Sequence, residues 1–240
     1  MTRFGATPAV LPSRILVLGG EAVGKTTFAR QLVARTGFDL LELDRIAWQA
    51  QDDPDDPLDG EFEPDYESRK PLLRRPLEDR LARLDGWTDR SGWVAEGVFL
   101  WWTDQLLDAA DAIVWLDNVR LPVAIWRLMA RRARSARREF GMRNGPDKFL
   151  RFRDYGRASS ALISTIWRVC RYEFAPAGPP KPDDYGAITR RALLAELKPR
   201  WGKVVHIQSS EDLVRALDEL APVAPLREAR MSAPSAASIK

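Results

Sequence analysis

Residues Gly19-Gly20-Glu21-Ala22-Val23-Gly24-Lys25-Thr26 follow the apolar run Ile15-Leu16-Val17-Leu18 and lead into a stretch with helical spacing. The eight residues satisfy G-x-x-x-x-G-K-[ST], and the strand before and helix after supply the context that pattern requires. Glycines let the chain wrap so that successive N–H groups converge on an anion, and the start of the following helix adds positive potential. A lysine at position 25 reaches terminal phosphates, and the Thr26 hydroxyl is placed to ligate magnesium. Gly20, Glu21, Ala22, Val23, Gly24, Lys25, Thr26 and Thr27 are therefore the expected nucleotide-binding set, with Lys25 also acting in the chemistry. The alternative is a glycine-rich strand-to-helix turn carrying a surface lysine.

Outward from this turn, the same alternation recurs. A helix is expected from Lys25 to about Arg35 with Phe28, Leu32 and Val33 inward. Further apolar runs lie at Asp39–Leu43, Trp93–Ala95, Ala112–Leu116 and Val204–Ile207, separated by helical stretches. Five strands alternating with helices read as a parallel sheet covered on both faces, a three-layer α/β/α fold. Residues 51–64 form a proline-broken acidic loop, and Leu72 to Leu84 resumes helical spacing through Leu73, Leu77, Leu81 and Leu84. Val123, Trp126, Met129 and Ala133 mark a helix that turns basic at Arg127, Arg131, Arg132, Arg134, Arg137 and Arg138. A long amphipathic helix is expected over Lys148–Tyr172, and a further one over Ile188–Leu197. These boundaries give a flexible N-terminus at 1–13, one domain at 14–221 with a helical, arginine-rich lid insertion at about 132–185, and a disordered tail at 222–240.

Composition narrows the chemistry. The chain has 240 residues, 45% hydrophobic and 30% charged, the balance of a folded globule. One cysteine, Cys170, and one histidine, His206, exclude an internal disulfide and Cys- or His-rich metal sites, and make a His-based hydrolase a poor fit. Both are expected to be buried structural residues. No stretch has the length and apolarity of a membrane span and Met1–Ser13 lacks a secretory pattern, so a cytoplasmic location without membrane attachment is expected. The net charge of +3 is unevenly spread: twelve acids against one base over 39–67, and twelve bases against three acids over 120–157.

The P-loop, Leu41-Glu42-Leu43-Asp44 with Trp48, Trp93-Val94-Ala95-Glu96-Gly97, and Ala112-Ile113-Val114-Trp115-Leu116-Asp117 with the arginine-rich helix after it together resemble the adenylate-kinase-like P-loop proteins often labelled DNA topology modulation proteins. The likeness covers residues 13–135 and returns at 204–217. It implies a sheet order of 2-3-1-4-5, ligands at the C-terminal strand ends, ATP or GTP with Mg2+, and phosphoryl transfer. Asp44, at the end of the second strand, then matches an acid that orients or deprotonates an acceptor hydroxyl; the alternative is an acid in a solvated turn. Glu96-Gly97 replaces the usual Asp-Gly pair, and Ala47 stands where relatives carry His. Metal support is expected from Thr26 and Glu96, because the third strand adjoins the P-loop strand. Asp117, after five apolar residues, fits the hydrophobic-run-then-acid form better by sequence alone. Arg127 contacting nucleotide and Arg131 acting in catalysis match the arginine positions of such folds.

The tryptophans at 101, 102, 115, 126 and 167 read as core, with Trp48 at the rim of the cleft. The expected partners are a nucleoside triphosphate and an unidentified small or nucleotide acceptor. Two alternatives remain beside the kinase: nucleotide-controlled nucleic-acid binding through the basic segment, and nucleotide binding without turnover. The acceptor, the purine base preference and the oligomeric state are not encoded legibly.

Overall fold

The computed structural model describes residues 11–50, 72–141, 163, 166–176 and 188–222, with all their side chains except those at 50, 72 and 132–141. In chain order the elements are β1 (Arg14–Gly19), α1 (Lys25–Thr36), β2 (Asp39–Glu42), α2 (Leu43–Ala47), β3 (Trp48–Ala50), β4 (Leu72–Arg74), α3 (Leu77–Leu84) and β5 (Trp93–Glu96). There follow α4 (Asp104–Ala109), β6 (Ala112–Leu116), α5 (Leu121–Gly141), α6 (166–174), α7 (Arg190–Leu197), a 3-10 turn at Lys198–Lys203, β7 (Val204–Ile207) and α8 (Ser210–Leu220).

The main sheet is five-stranded and parallel, ordered β2-β5-β1-β6-β7. Its labels depart from a simple count because β3 and β4 form a separate antiparallel pair, Gln49 opposite Leu73. Numbered among themselves along the chain, the five sheet strands lie 2-3-1-4-5. Side chains alternate across the strands, which explains the near-continuous apolar runs. Leu16, Leu18, Trp93, Ala95, Ile113 and Trp115 face a core completed by α3, α4 and α7. Ile15, Val17, Val94 and Val114 face the other core, completed by Phe28 and Leu32 of α1 and Leu217 and Leu220 of α8. Burying each such Leu, Val or Phe contributes about 1.5–3 kcal/mol, so both faces of the sheet must stay covered. Helix ends follow local rules. Gly37, at φ 73°, closes α1 with its N–H on Val33 O. Ser209 and Asp212 form a reciprocal capping box at α8.

Several expectations are corrected. β2 ends at Glu42, so Asp44 sits in the first turn of the short helix α2 rather than on a strand. Residues 72–74 are strand, and the helix begins only after Pro76; Leu73 and Leu81 are exposed while Leu84 is buried. On α5 the residues that mark the helix face outward: Val123, Trp126 and Met129 are exposed, and the smaller Ala124 together with Leu128 packs against Val169 of α6. Trp126 and Trp167, at 68% and 58% exposure, are not core, whereas Trp102 and Trp115 are. Cys170 is only half-buried, and Ile188 and Thr189 precede α7, Thr189 capping it. Most of the lid at 132–185 lies outside the described residues, as do 148–162 of the long helix, residues 51–64, residues 1–10 and the tail from 223. Among the described residues, no helix is long and apolar enough to cross a membrane.

Candidate functional site

Parallel pairing brings four strand ends to one edge of the sheet. Glu42 lies opposite Glu96 on β2 and β5, Val17 lies opposite Glu96 on β1 and β5, and Gly19 lies opposite Leu116 on β1 and β6. The turn from β1 into α1 therefore opens between β5 and β6, at the carboxyl ends of the strands. Gly19 is required there: its φ is +151°, and a Cβ would stand 2.6 Å from the Leu116 carbonyl oxygen. Ala22 takes the left-handed conformation at φ 58°, which concentrates backbone strain in the turn. Gly24 caps α1 with no capping side chain, so the first-turn N–H groups are not taken up by their own cap.

Lys25 Nζ donates to Gly20 O at 2.7 Å, folding back across the loop. The Thr26 hydroxyl donates to Glu96 Oε1 at 2.8 Å, joining α1 to the end of β5. Glu96 is 3% exposed. Burial pushes its carboxyl above the ordinary value, against the pull of Lys25 and the Thr26 hydrogen bond. Asp44 lies within electrostatic reach of Glu96, Lys25 and Glu21. Burial first, and then the Glu96 charge, push it up to about 7, with Lys25 working in the opposite sense. Asp44 Oδ1 is buried and accepts no hydrogen bond among the described residues. Glu42, also buried, is satisfied by Arg30 at 3.0 Å and by Arg45.

Asp117 has a different fate. Arg190 donates to both of its oxygens, at 2.8 and 2.6 Å, and His206 Nε2 lies 2.9 Å from Oδ2. Burial raises the Asp117 carboxyl, but the His206 and Arg190 hydrogen bonds outweigh it and hold the group below its ordinary value. An ionised Asp117 accepts only, so His206 Nε2 carries the donated proton. His206 stacks on Trp115 at 4.2 Å between centroids, so the sole histidine joins an ion-pair cluster rather than simply filling the core.

Of the expected binding residues, the loop 20–26 is assembled as a unit, and Arg127 donates to Ala22 O at 3.2 Å. Val23 is buried, and Thr27 is exposed on α1. Arg131 is exposed one turn beyond Arg127 on α5. Trp48 is part of β3 and packs against the sheet core. Sequence reasoning did not single out Arg168 and Tyr172 of α6. Arg168 donates to Glu21 at 2.9 Å and Tyr172 covers Gly20. The acid inside the loop was the available signal, since a partly buried carboxylate requires a countercharge.

The oxygen donors Thr26 and Glu96 suit a hard cation such as Mg2+, which binds one or two protein oxygens and completes its shell with phosphate and water. Among the described residues, no group of three or more His, Cys, Asp or Glu is gathered to hold a metal.

No protein-family profile matches the chain, and no curated protein matches it. Similar solved structures include a gluconokinase from Sinorhizobium meliloti, with 14% identity, 88% of this chain and 90% of that chain covered, and TM-score 0.42. A sugar kinase from Janibacter has 16% identity, coverage of 88% and 95%, and TM-score 0.35. A shikimate kinase from Acinetobacter baumannii has 15% identity, coverage of 81% and 99%, and TM-score 0.30.

Proposed function

We propose that this chain is a magnesium-dependent phosphotransferase that holds ATP or GTP on loop 19–26 and transfers the terminal phosphoryl group to a hydroxyl of a small acceptor. The observation that carries the reading is the Thr26–Glu96 hydrogen bond at 2.8 Å, in the first turn of a helix whose N-terminus lacks a side-chain cap. It pairs the loop hydroxyl with a buried carboxylate from the adjoining strand, the oxygen pair that a nucleotide-bound Mg2+ uses. Glu96 supports this role better than Asp117. The Asp117 oxygens already accept from Arg190 twice and from His206, whereas Glu96 accepts from a hydroxyl that turns readily.

In this reading the loop amides and Lys25 orient the β- and γ-phosphates, Lys25 leaving the Gly20 carbonyl to do so. Mg2+ held through Thr26 and Glu96 would neutralise charge on the phosphate oxygens. Asp44 accepts the proton of the acceptor hydroxyl as its oxygen bonds to the γ-phosphorus. The bond from that phosphorus to the β–γ bridging oxygen breaks, and the nucleoside diphosphate leaves with the electron pair. A carboxyl held at about 7 takes that proton far better than one at 3.8. Arg131 supplies charge from α5.

Purified protein with ATP, Mg2+ and a panel of sugars, hydroxy acids, nucleosides and nucleotides should consume ATP with only some acceptors, and Lys25→Ala should weaken ATP binding at least about tenfold. Unchanged ATP affinity in that variant would remove the loop from the mechanism.

A further inference from the structure

Glu21 is out of place in a turn built to hold polyphosphate, because a carboxylate there opposes the anion its own loop surrounds. Its charge reaches the site: Glu21 is one of the groups that push up the Asp44 carboxyl. The countercharge comes from outside the loop. Arg168 of α6 donates from Nε to Glu21 Oε1 at 2.9 Å, and the two side chains are only 17% and 24% exposed. One turn further along α6, the Tyr172 ring lies 2.9 Å from where a Gly20 Cβ would stand. The Tyr172 hydroxyl accepts from Trp115 Nε1 at 3.4 Å, which ties α6 to β6. From α5, Arg127 holds Ala22 O. Gly20, Glu21 and Ala22 are thus each engaged by α5 or α6, the helices that lead into and out of residues 142–165.

We propose that Arg168 is a positioning residue for the phosphate loop: paired with Glu21, it cancels a built-in repulsion, so the seating of α6 on the loop sets the affinity of the loop for polyphosphate. The proposal rests on the triphosphate reading above. With α6 seated, the loop presents its amides and Lys25 without an opposing charge. With α6 displaced, Glu21 faces the phosphates and expels them.

The test titrates ATP with Mg2+, and separately inorganic tripolyphosphate, against wild type, Arg168→Gln, Glu21→Gln, the double variant and Arg168→Lys, with circular dichroism and melting to verify folding. Arg168→Gln should weaken both ligands about tenfold, about 1.4 kcal/mol. Glu21→Gln should tighten both about threefold, and the double variant should return to within about threefold of wild type. Arg168→Lys should bind nearly as wild type. The opposite signs of the two single variants are the diagnostic feature, since a bridge that only braces the fold weakens binding when either end is removed. Two weakened single variants, or four unchanged ones, overturn the proposal and leave the triphosphate reading standing. A wild type that binds neither probe brings down that reading and the proposal with it. If Arg168→Gln does not fold, Glu21→Gln and Arg168→Lys decide, and weaker binding in Glu21→Gln overturns the proposal.

Discussion

Replacing Asp44 with Asn should make the protein more stable at alkaline pH and leave it nearly unchanged at acid pH. The Asp44 carboxyl sits at about 7 instead of 3.8, chiefly because burial disfavours its charge and secondly because Glu96 adds a like charge. A carboxyl raised on folding is bound to its proton more firmly in the native state than in the unfolded chain. Its contribution is therefore full below about pH 3.8 and is lost as pH rises through about 7. The interval of about 3 pH units, at 1.36 kcal/mol each, sets an upper limit of ~4 kcal/mol. Asp44 keeps some exposure, and water shares its charge, so about 2 kcal/mol is the expected measured size.

The assay is urea unfolding of wild type and Asp44→Asn at pH 4.5, 6, 7 and 8.5, with stabilities taken at constant m. The Asn variant should gain about 2 kcal/mol on wild type between the lowest and highest pH, most of it already by about pH 7, because the difference accrues between the unfolded and folded values. Glu96 is also raised, but it remains in both proteins and largely cancels from the difference. A pH-independent difference, or one that grows in favour of wild type at high pH, would refute the claim that this carboxyl is desolvated. The same titration should appear with opposite consequence in turnover. If Asp44 accepts the acceptor proton, the rate climbs with pH to a plateau with a midpoint near 7, and Asp44→Asn lacks both the climb and most of the rate.

Arg190→Gln removes two donors from Asp117, whose side chain is 8% exposed, and should cost about 2–4 kcal/mol in urea unfolding at pH 7. Gly19→Ala must push a Cβ against the Leu116 carbonyl in a backbone conformation that alanine resists; a loss of about 3 kcal/mol with abolished nucleotide binding is expected from melting and ATP titration. Asp111 is held at about 2, first by the Arg14 side chain and then by backbone and Ser13 hydrogen bonds. Asp111→Asn should therefore cost about 1 kcal/mol at pH 7, a figure discounted for exposure, and the gap should close as pH falls from 3.8 toward 2. Glu96→Gln should raise the Mg2+ concentration needed for half-maximal ATP turnover about tenfold, whereas Arg190→Gln should leave it unchanged in a stable background.

What the sequence discloses follows from the range of each interaction. The loop is legible because its glycines, Lys25 and Thr26 act within eight consecutive residues on one local geometry. The five sheet strands are legible because a strand buried on both faces needs an unbroken apolar run. The β3–β4 pair is not: Trp48–Ala50 and Leu72–Arg74 are too short to announce themselves, and they meet across a long intervening segment. On α5, periodicity finds the helix but not its inward side. Val123, Trp126 and Met129 form one apolar stripe and Ala124 with Leu128 another, and the choice is made by Val169, which lies on a different helix.

Charge pairing is the least legible layer, and it decides most about the site. Asp117 ends a longer apolar run than Glu96, so local context alone ranks it ahead as a metal support, which is not the order that the folded charge pairs favour. The difference is made by Arg190, 73 residues away, and His206, 89 residues away, which take up the oxygens of Asp117, while β5 docks beside β1 and delivers Glu96 to Thr26. Glu21 likewise looks like a defect in an anion-binding loop until Arg168, 147 residues on, is placed beside it. Each acid acquires its chemical meaning from a partner that only the folded sheet brings within 3 Å, so a carboxylate read from sequence carries a location long before it carries a role.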